Sequence, residues 1–328
     1  MVLIYVDDII VTGNNVGKLN QFINKLHAIF ALKDLGPLHY FLGIEVHRDE
    51  TGLYLNQGKY VKELLHKTGM MHLKPCSTPM IGGKPLSKAD GDPLPNPTSY
   101  RSIIGGLQYL THTRPDLSFA VNKLSQFLQT PTTIHWRAAK RVLRYLKGTV
   151  YQGLHIKNSD RLEITGYSDA DWACCPDDRR SVAGYCVYLG DTLVSWSSKK
   201  QAVVSRSSTE SEYRALAQVA AEITWIQALL KEFDFPLQNT PITWCDNMGA
   251  SALAANPVYH ARTKHIELNV HFVRDKVLDK SLEIRYVPSS DQVADCLTKS
   301  LTNYRFHFLV DKLGVVDTPP SLRWAVKK

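Results

Sequence analysis

TESEYRALAQVAAEITWIQALL, residues 209–230, sets four apolar residues and one acid on a single helical stripe. At 100° per residue Leu216, Val219, Ile223 and Leu230 all lie within about 40° of Glu212. Glu210 points nearly opposite. The run is predicted to be one long helix, from about Thr209 to Phe233, with a carboxylate on its core side. Such an acid is costly unless it is paired, protonated or bound to a cation. The plain alternative is a first-turn residue tolerated by the helix dipole.

Outward from this helix, LEITGYSD (162–169), AGYCVYL (183–189) and LVSWSS (193–198) read as short strands, the last two separated by a Gly190-Asp191 hairpin turn. ITWCD (242–246) is a further strand, the region after Arg262 is a helix to about Leu278, LEIRYVP (282–288) is a strand, and a short helix begins near Asp291. Three strands, helix, strand, helical region, strand and helix imply an α/β layer fold over residues 159–300. Asp169 ends the first strand run and Asp246 ends another. If those strands are neighbours, both carboxylates leave the same edge of the sheet. Asp295 lies one turn after Asp291 on the last helix, where a surface or cap role is the ordinary reading. Together Asp169, Glu212, Asp246 and Asp295 resemble a site for two divalent metals, because like-charged carboxylates repel until a hard cation neutralises them.

The N-terminal half reads differently. MVLIYVDDIIVTG (1–13) is a strand, turn and strand with Asp7 and Asp8 between the apolar runs, an ordinary hairpin or half of a metal site. A helix over 18–32, two strands within 39–57 joined at DETG, and a helix over 59–70 follow. Residues 75–97 hold six prolines, so 73–98 is expected to be a linker or loop that packs no core. Residues 99–148 are expected to be helical, broken at TRPD (113–116) and TPTT (130–133). In HWRAAKRVLRYLKG (135–148) Arg137, Lys140, Arg141, Arg144 and Lys147 share one face, opposite Ala138, Val142, Leu143 and Leu146. That face is either a solvated surface or a phosphate-backbone contact. The expected divisions are therefore 1–72, 73–98, a basic helical region 99–158, the α/β domain 159–300, and 301–328 as a tail or packing strand.

Composition supports real cores in the 328 residues, 44% of them hydrophobic. The formal charge of +8 is regional: residues 99–158 carry nine Lys or Arg against the single acid Asp116, whereas 161–299 carry fifteen against eighteen acids. A local field of that kind suits a polyanion such as RNA or DNA. No run reaches membrane-span length, no secretory signal opens the chain, and the interior of the cell is the default location. Cys76, Cys174, Cys175, Cys186, Cys245 and Cys296 form no zinc-type spacing and read mostly as small buried hydrophobes.

GYSDADWA, SWSSKKQ, SSTESEY, CDNMGASALAANPVYHARTKHIE and YVPSSDQVADCLTK resemble the ribonuclease H domain of copia-type long-terminal-repeat retrotransposons. YVDD with FLGIEVHR, YRSIIGGLQYLTHTRPDLSFAVNKLSQF and WRAAKRVLRYLKGT resemble the end of the same polyprotein's reverse transcriptase. The resemblance covers residue 1 to about 305. It implies a ribonuclease H-like mixed five-stranded sheet with flanking helices, preceded by a partial reverse-transcriptase palm and a helical thumb-like region. Carried over by motif, the catalytic carboxylates fall on Asp169, Glu212, Asp246 and Asp295, holding two Mg²⁺ or Mn²⁺, with Glu210, Asp171 and Asp291 as neighbouring decoys. The implied activity is endonucleolytic hydrolysis of the RNA strand of an RNA/DNA hybrid, leaving a 3′-hydroxyl and a 5′-phosphate. Recognition rests on duplex shape and 2′-hydroxyls.

The resemblance also places Asp7 and Asp8 on the metal-binding pair of the polymerase palm. The family's third aspartate comes from an earlier strand, upstream of Met1, so a truncated reading frame or cut-out piece is expected, with a vestigial pair and no polymerisation. Further upstream Pol segments are the implied partners in a full-length element, in the cytoplasm or its virus-like particles, with nuclear entry open. Cys174 stands where many relatives have glycine, and VPSSDQ lacks the histidine that retroviral enzymes carry before the final acid. His265 takes an ordinary structural reading. The competing class is a catalytically inactive nucleic-acid-binding fragment with a poorly covered palm remnant. Limited proteolysis separates the two, since a competent nuclease is expected to leave a resistant core starting near residue 160.

Overall fold

Residues 1–235, 237–255 and 266–320 are described by the computed structural model of the chain. Near the N-terminus, β1 (Val2–Tyr5) and β2 (Asp8–Val11) form the expected antiparallel hairpin, followed by α1 (Val16–Ile29). Every residue of β1 is exposed and α1 buries none of its side chains, so this part adds little to any core.

The first substantial sheet begins with β3 (Tyr40–Phe41), β4 (Ile44–Asp49) and β5 (Gly52–Asn56). Asp49 fixes the turn between the last two by accepting from the Thr51 amide at 2.8 Å and hydroxyl at 2.6 Å. After α2 (Gly58–Lys67) come the helices α3 (Pro97–Leu110), α4 (Ser118–Ser125) and α5 (Thr133–Gly148). β6 (Gln152–Lys157), which the helical reading of the region did not separate, pairs with β5.

The α/β domain follows the expected order: β7 (Ile164–Asp171), β8 (Val182–Leu189), β9 (Thr192–Lys200), α6 (Ser208–Glu232), β10 (Ile242–Cys245), α7 (Met248–Ala255), α8 (Glu267–Leu278), β11 (Glu283–Tyr286) and α9 (Asp295–Thr298). Its five-stranded sheet runs β11-β10-β7-β8-β9. β10 is parallel to both its neighbours, and β7-β8-β9 are antiparallel, so the sheet is mixed. The β8–β9 turn is the predicted Gly190-Asp191, with Gly190 at φ +57° and Leu189 opposite Thr192.

Beyond residue 300 lie α10 (Asn303–Lys312) and β12 (Val315–Asp317). β12 pairs with β6 and completes the other five-stranded sheet, β12-β6-β5-β4-β3. Of the two readings of this segment, the structure shows the packing strand, preceded by a helix that buries Phe306, Leu309 and Val310.

Among the described residues two large apolar cores result, with a small cluster of Ala170, Ala183 and Ala215 beside them. β8 is buried on both faces and alternates between them: Cys186 joins the core built from α2–α5, α9 and α10, while Val187 joins the one beneath α6 and α8. The first core runs from Val61 to Val315 and so links the N-terminal helices to the sheet of the α/β domain.

The proline-rich stretch is irregular, as expected of a loop, but it does pack. Cys76, Met80, Leu86 and Leu94 lie against the first core. Its backbone is tied down at both ends, with Leu94 N donating to Pro131 O at 3.0 Å and Cys76 N to Arg144 O at 3.4 Å. Proline content argues against regular elements, not against burial, where side chains supply the missing hydrogen bonds.

Candidate active site

The parallel register of β7 and β10 sets Ser168 opposite Cys245. The next residues, Asp169 and Asp246, therefore leave the same edge of the sheet. Ser207 caps α6 by accepting from the Glu210 amide, and Glu212 follows in the second turn, over that edge. The fourth acid, Asp295, opens α9. Asp169 pairs across to Gly184 on β8, where a Cβ would lie 2.8 Å from both Leu297 and Thr298 side-chain atoms. The bare glycine thus lets α9 settle onto the sheet beside Asp169.

Asp169, Glu212 and Asp295 are buried and Asp246 is half-buried. Burial chiefly raises the Asp169 carboxyl above the ordinary range, Lys299 pulls it back, and Asp295 pushes it further up. Burial likewise lifts Glu212, reinforced by Asp169 and Asp246. The four acids therefore feel one another, yet their partners divide them into two halves. Lys299 Nζ lies 3.3 Å from Asp169 Oδ2 and 2.8 Å from Asp295 Oδ1, and Thr298 Oγ1 also donates to Asp169. In the other half, Ser289 Oγ donates to Asp246 Oδ2 at 2.9 Å, while Gln292 Nε2 bridges Ser168 O at 2.9 Å and Asp246 Oδ1 at 3.4 Å. Among the described residues Glu212 Oε2 is buried with no hydrogen-bond partner.

Among the described residues, the one group of three or more metal-ligating side chains whose donor atoms approach within 4.8 Å is Glu212, Cys245 and Asp246. Burial, and next to it Glu212, push the Cys245 thiol up to about 12, and a hard divalent cation prefers the carboxylate oxygens of Glu212 and Asp246 to a soft sulfur. An orphaned carboxylate oxygen beside further carboxylates fits a divalent cation such as Mg²⁺ or Mn²⁺.

The decoys are held differently, although Asp171 lies near enough for Lys299 and Asp295 to act on its carboxyl. Glu210 is buried rather than solvent-facing, because Arg214 one turn on and the Arg206 amide both donate to it. Asp171 is the half-buried last residue of β7, ahead of a turn that passes through Ala173 at φ +50°, and Asp291 is exposed. Cys174 is half-buried and adds no ligand to the cluster. Asp7 and Asp8 are exposed on the N-terminal hairpin and join no such cluster. His265 lies outside the described residues.

On α5, Val142, Leu143 and Leu146 are buried as the wheel predicts, and Ala138 is half-buried. The basic face is partly committed: Arg141 donates to Thr78 at 2.8 Å, Arg144 to Lys74 O at 2.7 Å and Lys147 to Leu73 O at 2.6 Å. These three strap the proline-rich stretch to the helix. Arg137 is exposed, and Lys140 lies over the Trp136 ring. Sequence reasoning missed Lys299, Thr298, Ser289, Gln292 and Arg305 around the acids. Only Lys299 carried a signal, its i, i+4 spacing from Asp295.

The mixed sheet, the long helix across it and the acids on its edge define a ribonuclease H-like domain, here joined to a reverse-transcriptase-like region. Residues 1–82 match the family model described as reverse transcriptase (RNA-dependent DNA polymerase). The retrovirus-related Pol polyprotein from transposon RE2 of Arabidopsis thaliana is 49% identical over 319 residues, 97% of this chain and 22% of that protein. A putative transposon Ty5-1 protein of Saccharomyces cerevisiae is 34% identical over 225 residues, 68% of this chain and 73% of that one. The chain belongs to the copia-type long-terminal-repeat retrotransposon Pol polyproteins, and it spans about a fifth of the length of the plant polyproteins it matches. Among solved structures, the foamy viral protease-reverse transcriptase in complex with an RNA/DNA hybrid resembles it in fold, with a TM-score of 0.50 and 13% identity over 92% of this chain and 37% of that one. No helix of the described residues is long and apolar enough to cross a membrane.

Proposed function

We propose that the chain is a metal-dependent ribonuclease H that cuts the RNA strand of RNA/DNA hybrids internally, leaving a 3′-hydroxyl and a 5′-phosphate. Asp169, Glu212, Asp246 and Asp295 would hold two Mg²⁺ or Mn²⁺. When bound, such ions lower the pKa of an attacking water and stabilise the departing oxygen of a phosphodiester. The chain's own contribution is to hold the acids at one edge: Gln292 and Ser289 orient Asp246, and Thr298 orients Asp169. Arg137 and Lys140 on α5 are the basic-face residues proposed to meet phosphate, a contact whose affinity falls with salt. Asp7 and Asp8 are proposed to match the metal-binding aspartate pair of a reverse-transcriptase palm.

The observation that carries the reading is Glu212 Oε2, buried and without a partner among the described residues, beside Asp169 and Asp246. The test is cleavage of a labelled RNA/DNA hybrid in Mg²⁺, with an EDTA control, for the parent, Asp246→Asn and the double variant Asp169→Asn, Glu212→Gln. Loss of a ligand is expected to cost more than the ~10–100-fold typical of removing a ligand's hydrogen-bond partner. A folded, hybrid-binding parent that cuts under neither Mg²⁺ nor Mn²⁺ would return the chain to the class of inactive nucleic-acid-binding fragments.

A further inference from the structure

The two halves of the acidic cage are neutralised differently. Asp169 and Asp295 share the Lys299 ammonium, and Arg305 Nη2 from α10 approaches Asp295 Oδ2 at 3.4 Å. Glu212 and Asp246 receive no ammonium or guanidinium within ion-pair distance among the described residues, and Glu212 keeps a buried oxygen with no partner. One half is therefore paired directly with a positive charge of the protein, whereas Lys299 acts on Glu212 only from beyond ion-pair distance.

Lys299 is placed to be removable. It follows α9 as its C-cap with an extended backbone, φ −141° and ψ 160°, and its side chain is 37% exposed while the acids it joins are far more deeply enclosed. A lysine stem has four rotatable bonds, so the ammonium can leave the cage without moving α9. A divalent ion entering between Asp169 and Asp295 needs the oxygens that the ammonium holds. Two cations crowded onto the same pair of carboxylates repel.

We infer that Lys299 is a tethered counter-ion that competes with the second divalent cation for the Asp169–Asp295 half of the cage. The inference rests on the metal-dependent reading above and adds an order to loading. The Glu212–Asp246 half fills first, and the other half fills only at concentrations that displace Lys299. Lys299 is thus a positioning residue that sets metal stoichiometry at a given concentration.

The test is Mn²⁺ binding to the full chain, followed calorimetrically and by the signal of free Mn²⁺, at fixed pH and salt. The parent is expected to bind a second ion at least 10-fold more weakly than the first. Lys299→Met, which keeps the stem and removes the charge, is expected to tighten the second step at least 10-fold and to leave the first within about twofold. Lys299→Arg is expected to keep the gap. A merely structural salt bridge predicts the opposite pattern, with Lys299→Met leaving the second step unchanged or weakening both steps, and either result overturns the inference. Amine labelling of the parent provides a measurement that needs no variant: Lys299 is expected to be protected at low Mg²⁺ and to react at least fivefold faster once the second step saturates. Unchanged protection overturns the competition. Absence of any Mn²⁺ binding, or binding indifferent to Glu212→Gln, overturns the metal site itself and is recognisable as that separate failure.

Discussion

Glu212 shows what a single residue discloses in sequence and what it hides. Its place on the apolar stripe of α6 follows from helical period alone, and the structure buries it there. What the period does not disclose is enclosure by neighbours from other elements. Glu210 falls off the same stripe and is buried all the same, because Arg214 and the Arg206 amide close over it. Lys299 lies in a quoted motif, yet only the fold turns it into the cage. The burial of Glu212 has a consequence for stability. Its carboxyl is raised to about 9, burial being the first cause and Asp169 the second, whereas in an unfolded chain it titrates near 4.5. The folded chain therefore retains a proton that the unfolded chain releases. The stabilisation is complete below the unfolded value and is lost as pH rises through about 9, with a slope of at most about 1.4 kcal/mol per pH unit from this group. Asp169, also raised, acts in the same direction. In EDTA the melting temperature is expected to fall between about pH 5 and 9, and Glu212→Gln, neutral throughout, is expected to flatten that fall. Added Mg²⁺ favours the ionised carboxyl, so its stabilising effect is expected to grow with pH. An equal slope in the variant would mean that this carboxyl is not the group responsible.

Among the elements, the succession of strands and helices along the α/β domain was readable because each strand is short and bounded by turn residues. The pairing order in the sheet was not, and β7 runs two residues past Asp169, where the strand was expected to end. The region before this domain was less readable. TRPD reads as a helix break, and it is one: Pro115–Leu117 form a single 3₁₀ turn between α3 and α4. Its larger role lies in pairing. Arg114 and Asp116 are each 1% exposed and joined by two hydrogen bonds of 2.9 and 2.8 Å; Tyr145 of α5 donates to Asp116 at 2.7 Å, and Arg114 reaches Thr149 O at 3.0 Å. The turn is thereby fastened to the C-terminal end of α5. No local pattern announces this, because the partners lie about thirty residues apart. Asp116→Ala leaves a buried guanidinium without its carboxylate and is expected to cost about 3–5 kcal/mol in urea unfolding, while the double variant Arg114→Met, Asp116→Leu is expected to cost clearly less than the single. A loss below about 1 kcal/mol for Asp116→Ala would show that α5 is held by its apolar face alone.

At the scale of the whole molecule, the sequence divides at about residue 160 and the structure does not separate there. The division is real in charge and in strand pattern, but β12 returns to pair with β6, and the first core joins α3, α4 and α5 to β8, β9 and α9. Pairings this distant leave no periodicity, so a resistant fragment beginning near residue 160 is no longer the expectation. Residues 158–163 are exposed and contain Arg161, which makes them a site for trypsin. A nick there would cut one chain into two pieces that still share a sheet and a core. The N-terminal piece is another matter, since β1 is exposed throughout, α1 buries no side chain, and Leu32–Pro37 are in neither helix nor strand. Brief native proteolysis is expected to remove the first ~35 residues early, because locally unprotected segments open at little cost in free energy. Fragments cut at residues 158–163 are expected to co-elute from a sizing column without denaturant and to separate only in urea. Release of a folded piece beginning near residue 160 in native buffer would mean that the shared core contributes little, and that the α/β domain holds its four acids in place on its own.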